Sequence, residues 1–253
     1  MRKIRPILCD MVGQAVESVA KNRLPMVVLW LMAAMSVAAY WLHQPFADML
    51  EPLARWQTKD GWLAAALNRI AFGGLLPGVF LCTVRSIRPK RPIWTVGVFC
   101  AWAALWGILC DIFFTLQAEW FGYGHGFATV ALKTLVDQLV WTAFLCTPVN
   151  ALFFTWVAND FRRIPLWTTL REKYLPMLFA NWIVWLPVSA AVYMFPLPLQ
   201  IQLIGFAGAF WKLVALAVGV KESTMRAPPC RGRESCGGAK RLVQGFRTGI
   251  SAS

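Results

Sequence analysis

Apolar runs approaching 20 residues recur along this 253-residue chain. That is the length an α-helix needs to cross the roughly 30 Å hydrocarbon core of a bilayer. A soluble core helix alternates apolar and polar residues at helical spacing; these runs stay apolar all round. Charged residues make up 15% of the chain, where a soluble domain carries about a quarter, and hydrophobic residues make up 58%. In lipid every backbone polar group must be satisfied internally, so the expected fold class is all-α: a polytopic transmembrane helical bundle.

Six spans are expected, at about 26–42, 62–84, 93–116, 130–157, 175–195 and 201–220. The 62–84 run is the most interrupted, with Asn68, Arg69, Gly73, Gly74 and Pro77. Before the spans lies a basic segment, 1–25, whose apolar spacing suits a surface-lying helix. After them comes a basic tail, 221–253, expected to be mostly disordered. The stretch 43–61 reads as a loop holding Asp48, Glu51, Arg55, Lys59 and Asp60.

The net charge of +13 would suggest nucleic acid if it lay on a soluble face. Nearly all the basic residues instead lie between or outside the apolar runs, where they set topology and meet anionic headgroups. The partner implied is a lipid bilayer, not nucleic acid. Read alternately, the N-terminus, the loop after Arg85, the loop after Asp160 and the tail carry 5, 4, 4 and 7 basic residues; the loops between them carry 2, 0 and 0. Six spans with both termini on the cytoplasmic or matrix side satisfy the positive-inside rule at every loop. Trp41, Trp62, Trp94, Trp120 and Trp156 fall near span ends as an aromatic belt would, whereas Trp102, Trp106 and Trp211 suit packing between helices.

Little here suits catalysis. Cys82, Cys100, Cys110 and Cys146 sit in apolar runs as small packing residues, and Cys230 and Cys236 are too few for a metal site. With only two histidines, no metal centre and no cofactor is expected. The chain has no Gly-rich phosphate loop and no HExxH helix, and neither Asp111 nor Asp137 sits in a glycine-rich motif, so no enzyme is expected.

The chemistry lies in polar residues within the spans. Arg69, Asp111 and Asp137, with Gln138 beside it, all fall roughly 8–10 Å below the outer boundary at about 1.5 Å per residue. Arg69 is placed to neutralise one or both carboxylates there, because pairing offsets the cost of a charge in lipid. Asn150, Asn181 and Lys212 form a second layer on the inner side. Either layer suits a water-lined path or helix-to-helix glue, with Lys212 snorkelling inward in the second case. Pro77, Pro148 and Pro187 each remove a helix donor and should loosen their spans.

The segments LKTLVDQ and REKYLPMLFANWIVW, followed by an apolar run with a late tryptophan, resemble the Mpv-seventeen / twenty-two-kilodalton peroxisomal membrane protein family. The matching positions are Lys133, Asp137, Gln138, Leu170, Tyr174, Pro176, Asn181, Trp182, Trp185, Pro198 and Trp211, over about eighty residues from 132 to 211. The family's Trp-Pro is here Trp185-Leu186-Pro187, and its following Arg corresponds to Gln202. The resemblance implies a divergent member of a family usually described with four spans, found in mitochondrial inner or peroxisomal membranes. Some members are thought to form weakly selective pores. The expected function is therefore a channel or transporter-like protein for small polar solutes; the alternative is a structural or scaffolding membrane protein. A bacterial source would place it in the cytoplasmic membrane, a eukaryotic one in an organelle.

Overall fold

The computed structural model describes residues 23–83 and 89–226, and of 213–226 the backbone alone. Among the described residues every regular element is helical. We label the helices α1 (Arg23–Leu42), α2 (Gln44–Asp60), α3 (Trp62–Thr83), α4 (Pro92–Phe121), α5 (Phe127–Val157), α6 (Leu166–Tyr193) and α7 (Leu197–Arg226). The expected surface helix in the N-terminal segment falls on residues outside the described ones, as does the tail beyond Arg226.

Helices α3, α4, α5 and α6 are each long and apolar enough to cross a membrane. Helices α1 and α2 together meet the same test but meet at a 103° bend, so among the described residues the count is four spans, or five if the bent pair is one. The chain is an integral membrane protein by this measure. Its surface agrees, because it is inverted relative to a soluble fold. Leu63, Leu67, Ile112, Leu139, Phe144 and Leu186 lie exposed, while Gln57, Gln117, Lys133, Asp137 and Gln202 are buried. Such an apolar exterior is stable against lipid and not against water.

The residues expected to form a loop at 43–61 form α2 instead. Pro45 in its first turn starts the helix, and apolar Phe46, Met49, Leu50, Leu53 and Trp56 recur at helical spacing. Gly61 ends it with φ +50°, a conformation that favours glycine, and donates its amide to the Gln57 carbonyl. Helix α2 packs against α7, α1 and α3, crossing one end of the bundle. The fifth expected span begins nine residues early: Arg171 and Lys173 belong to the first turns of α6, not to a loop.

At the other end, Lys90 Nζ meets Asp160 Oδ2 at 2.6 Å, tying the α3–α4 connection to the α5–α6 turn. The two basic connections therefore share one end of the molecule. Between the ends, α4 packs tightly on α3. A Cβ on Gly107 would sit 2.6 Å from the Ala65 carbonyl oxygen, and one on Gly74 would sit 2.8 Å from Cys100 Cα. Small residues that let backbones approach closely are how helices associate without a hydrophobic drive between them. Trp102 stacks on Phe153 at 3.9 Å, Trp106 meets Trp141 edge-on and Trp211 is 9% exposed, so the three tryptophans expected to pack between helices do so.

Candidate functional site

Two spans leave the α register in mid-helix, and each does so from an ionisable residue toward a proline. Helix α3 is π-helical over Arg69–Leu75, two residues before Pro77; α5 is π-helical over Asp137–Cys146, two residues before Pro148. Proline lacks an N–H and its ring collides with the carbonyl four residues back. Wider turns ahead of it relieve that collision. The Leu76 amide accordingly reaches back five residues to Ala71, and the Thr147 amide reaches five back to Thr142.

The register change and the missing N–H leave carbonyls without helix donors, which lipid does not tolerate. Side chains of other helices claim them. Lys212 Nζ donates to the Gly73 carbonyl, four residues before Pro77, at 3.2 Å. Tyr174 Oη donates to the Ala143 carbonyl, five before Pro148, at 3.0 Å. Trp182 Nε1 donates to the Gln138 carbonyl at the head of the same π stretch, at 2.9 Å. Near Pro187, Trp30 Nε1 donates to the Val184 carbonyl at 2.9 Å. Tyr174, Trp182 and Lys212 thus make one kind of contact, with backbone opened by proline. The expected inward snorkelling of Lys212 does not occur, because the Gly73 carbonyl offers its ammonium a partner within the bundle.

Two groups of linked polar side chains stand out among the described residues of the interior. In the first, Asn68 donates its amide to Gln202 Oε1, Gln202 Nε2 donates to Gln57 Oε1 at 2.5 Å, and Gln57 Nε2 donates to Asp111 Oδ1 at 2.8 Å. The three amides form a relay in which every N–H points toward the carboxylate, so their dipoles reinforce one another. It joins α3, α7, α2 and α4. A Cβ on Gly205 would lie 2.5 Å from Asn68 Oδ1, so glycine there makes room for the relay.

The second group centres on Asp137, 6% exposed, and Gln138, 2% exposed. Gln138 Nε2 donates to Asp137 Oδ2 at 3.1 Å and to Ser189 Oγ at 3.0 Å, so one amide links Ser189 to the carboxylate. Here the polar inventory does not close. Among the described residues Gln138 Oε1 is buried without a partner. Gln117, wholly buried, and the Tyr193 hydroxyl are likewise without a hydrogen-bond partner among the described residues. Lys133, 3% exposed, lies one turn from Asp137 on the same helix face, with no hydrogen bond or ion pair to its amine among the described residues.

The expected pairing of Arg69 with Asp111 or Asp137 is absent among the described residues. Its guanidinium Nη2 lies 3.4 Å from Cys110 Sγ. The reason is that α2 supplies Gln57 to Asp111, while Asp137 is met by Gln138. Arg69 and Lys212 lie instead within electrostatic range of each other, beside Gly208 and Gly73. Asn150 and Asn181 are half-buried and make no side-chain hydrogen bond among the described residues, so the expected inner layer is not assembled by direct contacts.

The remaining family-like positions serve packing. Pro176 is buried in α6, Trp185 approaches Gly208, Trp211 belongs to the apolar core, and Pro198 sits in the first turn of α7, where a missing N–H costs no helix bond. Gln57, Asn68, Gln117, Ser189 and Gln202 are interior polar residues that the depth argument did not select as site residues. Set against known proteins, the chain matches no protein-family model, no curated protein and no solved structure.

Proposed function

We propose that this membrane protein passes small polar solutes through the bundle interior, as a channel or transporter-like protein resembling the Mpv-seventeen family. The observation that carries the reading is the unclosed polar inventory around Asp137. Buried polar atoms without partners cost about 1–3 kcal/mol each, and several gathered in one place imply that water or a solute satisfies them. Lys133 and Asp137 then act as wall charges one turn apart, and Gln138, Ser189 and Gln117 offer both donors and acceptors. The cations Arg69 and Lys212, neither of them salt-bridged among the described residues, bias the path toward anions. The relay ending on Asp111 has the opposite character. Its chain of amides is closed onto a carboxylate, and its role is helix-to-helix glue, which is the part of the alternative scaffolding reading that a specific contact set favours.

The reading extends to topology and place. With α7 as a further span and α1 as another, six crossings put the basic connections and the tail on the cytoplasmic or matrix side. Helix α2 would then lie at the outer face. No catalytic step, metal or cofactor enters the account.

Reconstitution tests it. Purified protein in sealed liposomes should release small anions faster than alkali cations, and Asp137→Asn should alter the rate or the selectivity. Liposomes that stay as tight as protein-free ones would sink the transport reading. Flux indifferent to Asp137→Asn would remove the site but leave the class.

A further inference from the structure

A groove of about 780 Å3 opens on the lipid-facing surface where α4, α5 and the start of α6 meet, well inside the roughly 300–1,000 Å3 range of ligand clefts. The stacked pair Trp102 and Phe153 form part of its wall, with Leu105, Leu152 and Trp156 also lining it. It runs from residues 98 to 105 on α4 and from 149 to 156 on α5, about 10 Å along each helix at 1.5 Å per residue. Arg163 is the single charged residue in the lining among the described residues, and it stands at the end where the basic connections gather. Lys90 there is engaged by Asp160, whereas Arg163 is exposed and forms no ion pair among the described residues.

We propose that this groove is a binding site for one anionic phospholipid, with an acyl chain along Trp102, Phe153 and Leu152 and the phosphate on Arg163. The shape argument is that an apolar trough open to the bilayer, about two helical turns long, takes the headgroup-proximal part of a single chain. The charge argument is that the charged group in its described lining is a cation, and a bidentate guanidinium matches phosphate geometry. The basic character of this end of the molecule draws anionic lipids toward the same place. The inference rests on the chain's being a membrane protein and is independent of whether it transports anything.

The test is native mass spectrometry of the full chain released from detergent, after titration with phosphatidylglycerol or phosphatidylcholine of identical acyl chains. The wild type should retain phosphatidylglycerol about fivefold better, the factor expected when one basic residue at an anionic surface contributes about 1 kcal/mol. Arg163→Gln should bring the two lipids level. Arg162→Gln, which removes a neighbouring charge that does not line the groove, should leave the preference intact and so controls for bulk surface charge. Ala101→Trp, filling the groove, should lower retention of both lipids while the protein still elutes and melts as the wild type does. A preference unchanged by Arg163→Gln would overturn the proposal. So would a groove that holds both lipids equally, or a purified protein that is a dimer closed over this face.

Discussion

Single hydrogen bonds across helices decide much of this structure, and Tyr174 shows why. Its hydroxyl satisfies the Ala143 carbonyl that the approach to Pro148 leaves open. Tyr174→Phe should therefore lower stability by roughly 0.5–1.5 kcal/mol, as bonds between membrane helices commonly do. In a Pro148→Ala background, where a backbone N–H is restored, the same change should cost less; equal costs in a thermal or denaturant melt would detach Tyr174 from the proline. A second cycle addresses the relay. Gln57→Leu leaves the Asp111 carboxylate half-buried without its amide donor and should cost about 1–3 kcal/mol. Adding Asp111→Asn should recover part of that loss, since a neutral amide needs the donor less. If the double variant melts no higher than Gln57→Leu alone, the carboxylate is not the relay's end point.

Helices α3 to α6 were legible because an apolar run of membrane length has few other folds open to it. Helix α2 was not, because five charged residues between two apolar runs look like a loop when charge alone is weighed. Its signal lay in the spacing of Phe46, Met49, Leu50, Leu53 and Trp56, which marks an amphipathic helix against the bundle. Missing α2 hid Gln57, and without Gln57 the carboxylate of Asp111 seemed to need Arg69. Asp137, Gln138, Tyr174 and Trp182 were visible as residues out of place in lipid or matched to a motif. That Tyr174 and Trp182 grip a π-helical stretch was not visible, since register within a helix depends on packing around the proline. Helix spacing supplies its own prediction. Gly107→Ala drives a Cβ against the Ala65 carbonyl and should cost about 1–3 kcal/mol through overpacking of α4 on α3. Gly97→Ala on the same helix meets nothing within 4 Å and should be neutral or stabilising by up to about 1 kcal/mol. Melts showing both changes alike would contradict the close α3–α4 approach.

At the scale of the molecule, polarity is sorted by place: apolar side chains outside, amides and carboxylates inside, and basic residues at one end. The Lys90–Asp160 contact holds that end together. The account predicts that single cysteines at 90 and 160 react with a membrane-impermeant thiol reagent from the same side of sealed vesicles, and cysteines at 48 and 124 from the other. Labelling of 48 from the basic side would put α2 at the wrong face. The most direct measurement concerns Ser189, because it shares the Gln138 amide with Asp137 at the centre of the proposed path. Ser189→Cys, placed in a chain whose other cysteines are replaced, should be modified in liposomes by a small charged thiol reagent, and modification should block solute release. A cysteine at 189 that stays unreactive while one at 48 labels fully would mean the Asp137 cluster is sealed, and the interior polarity is glue alone.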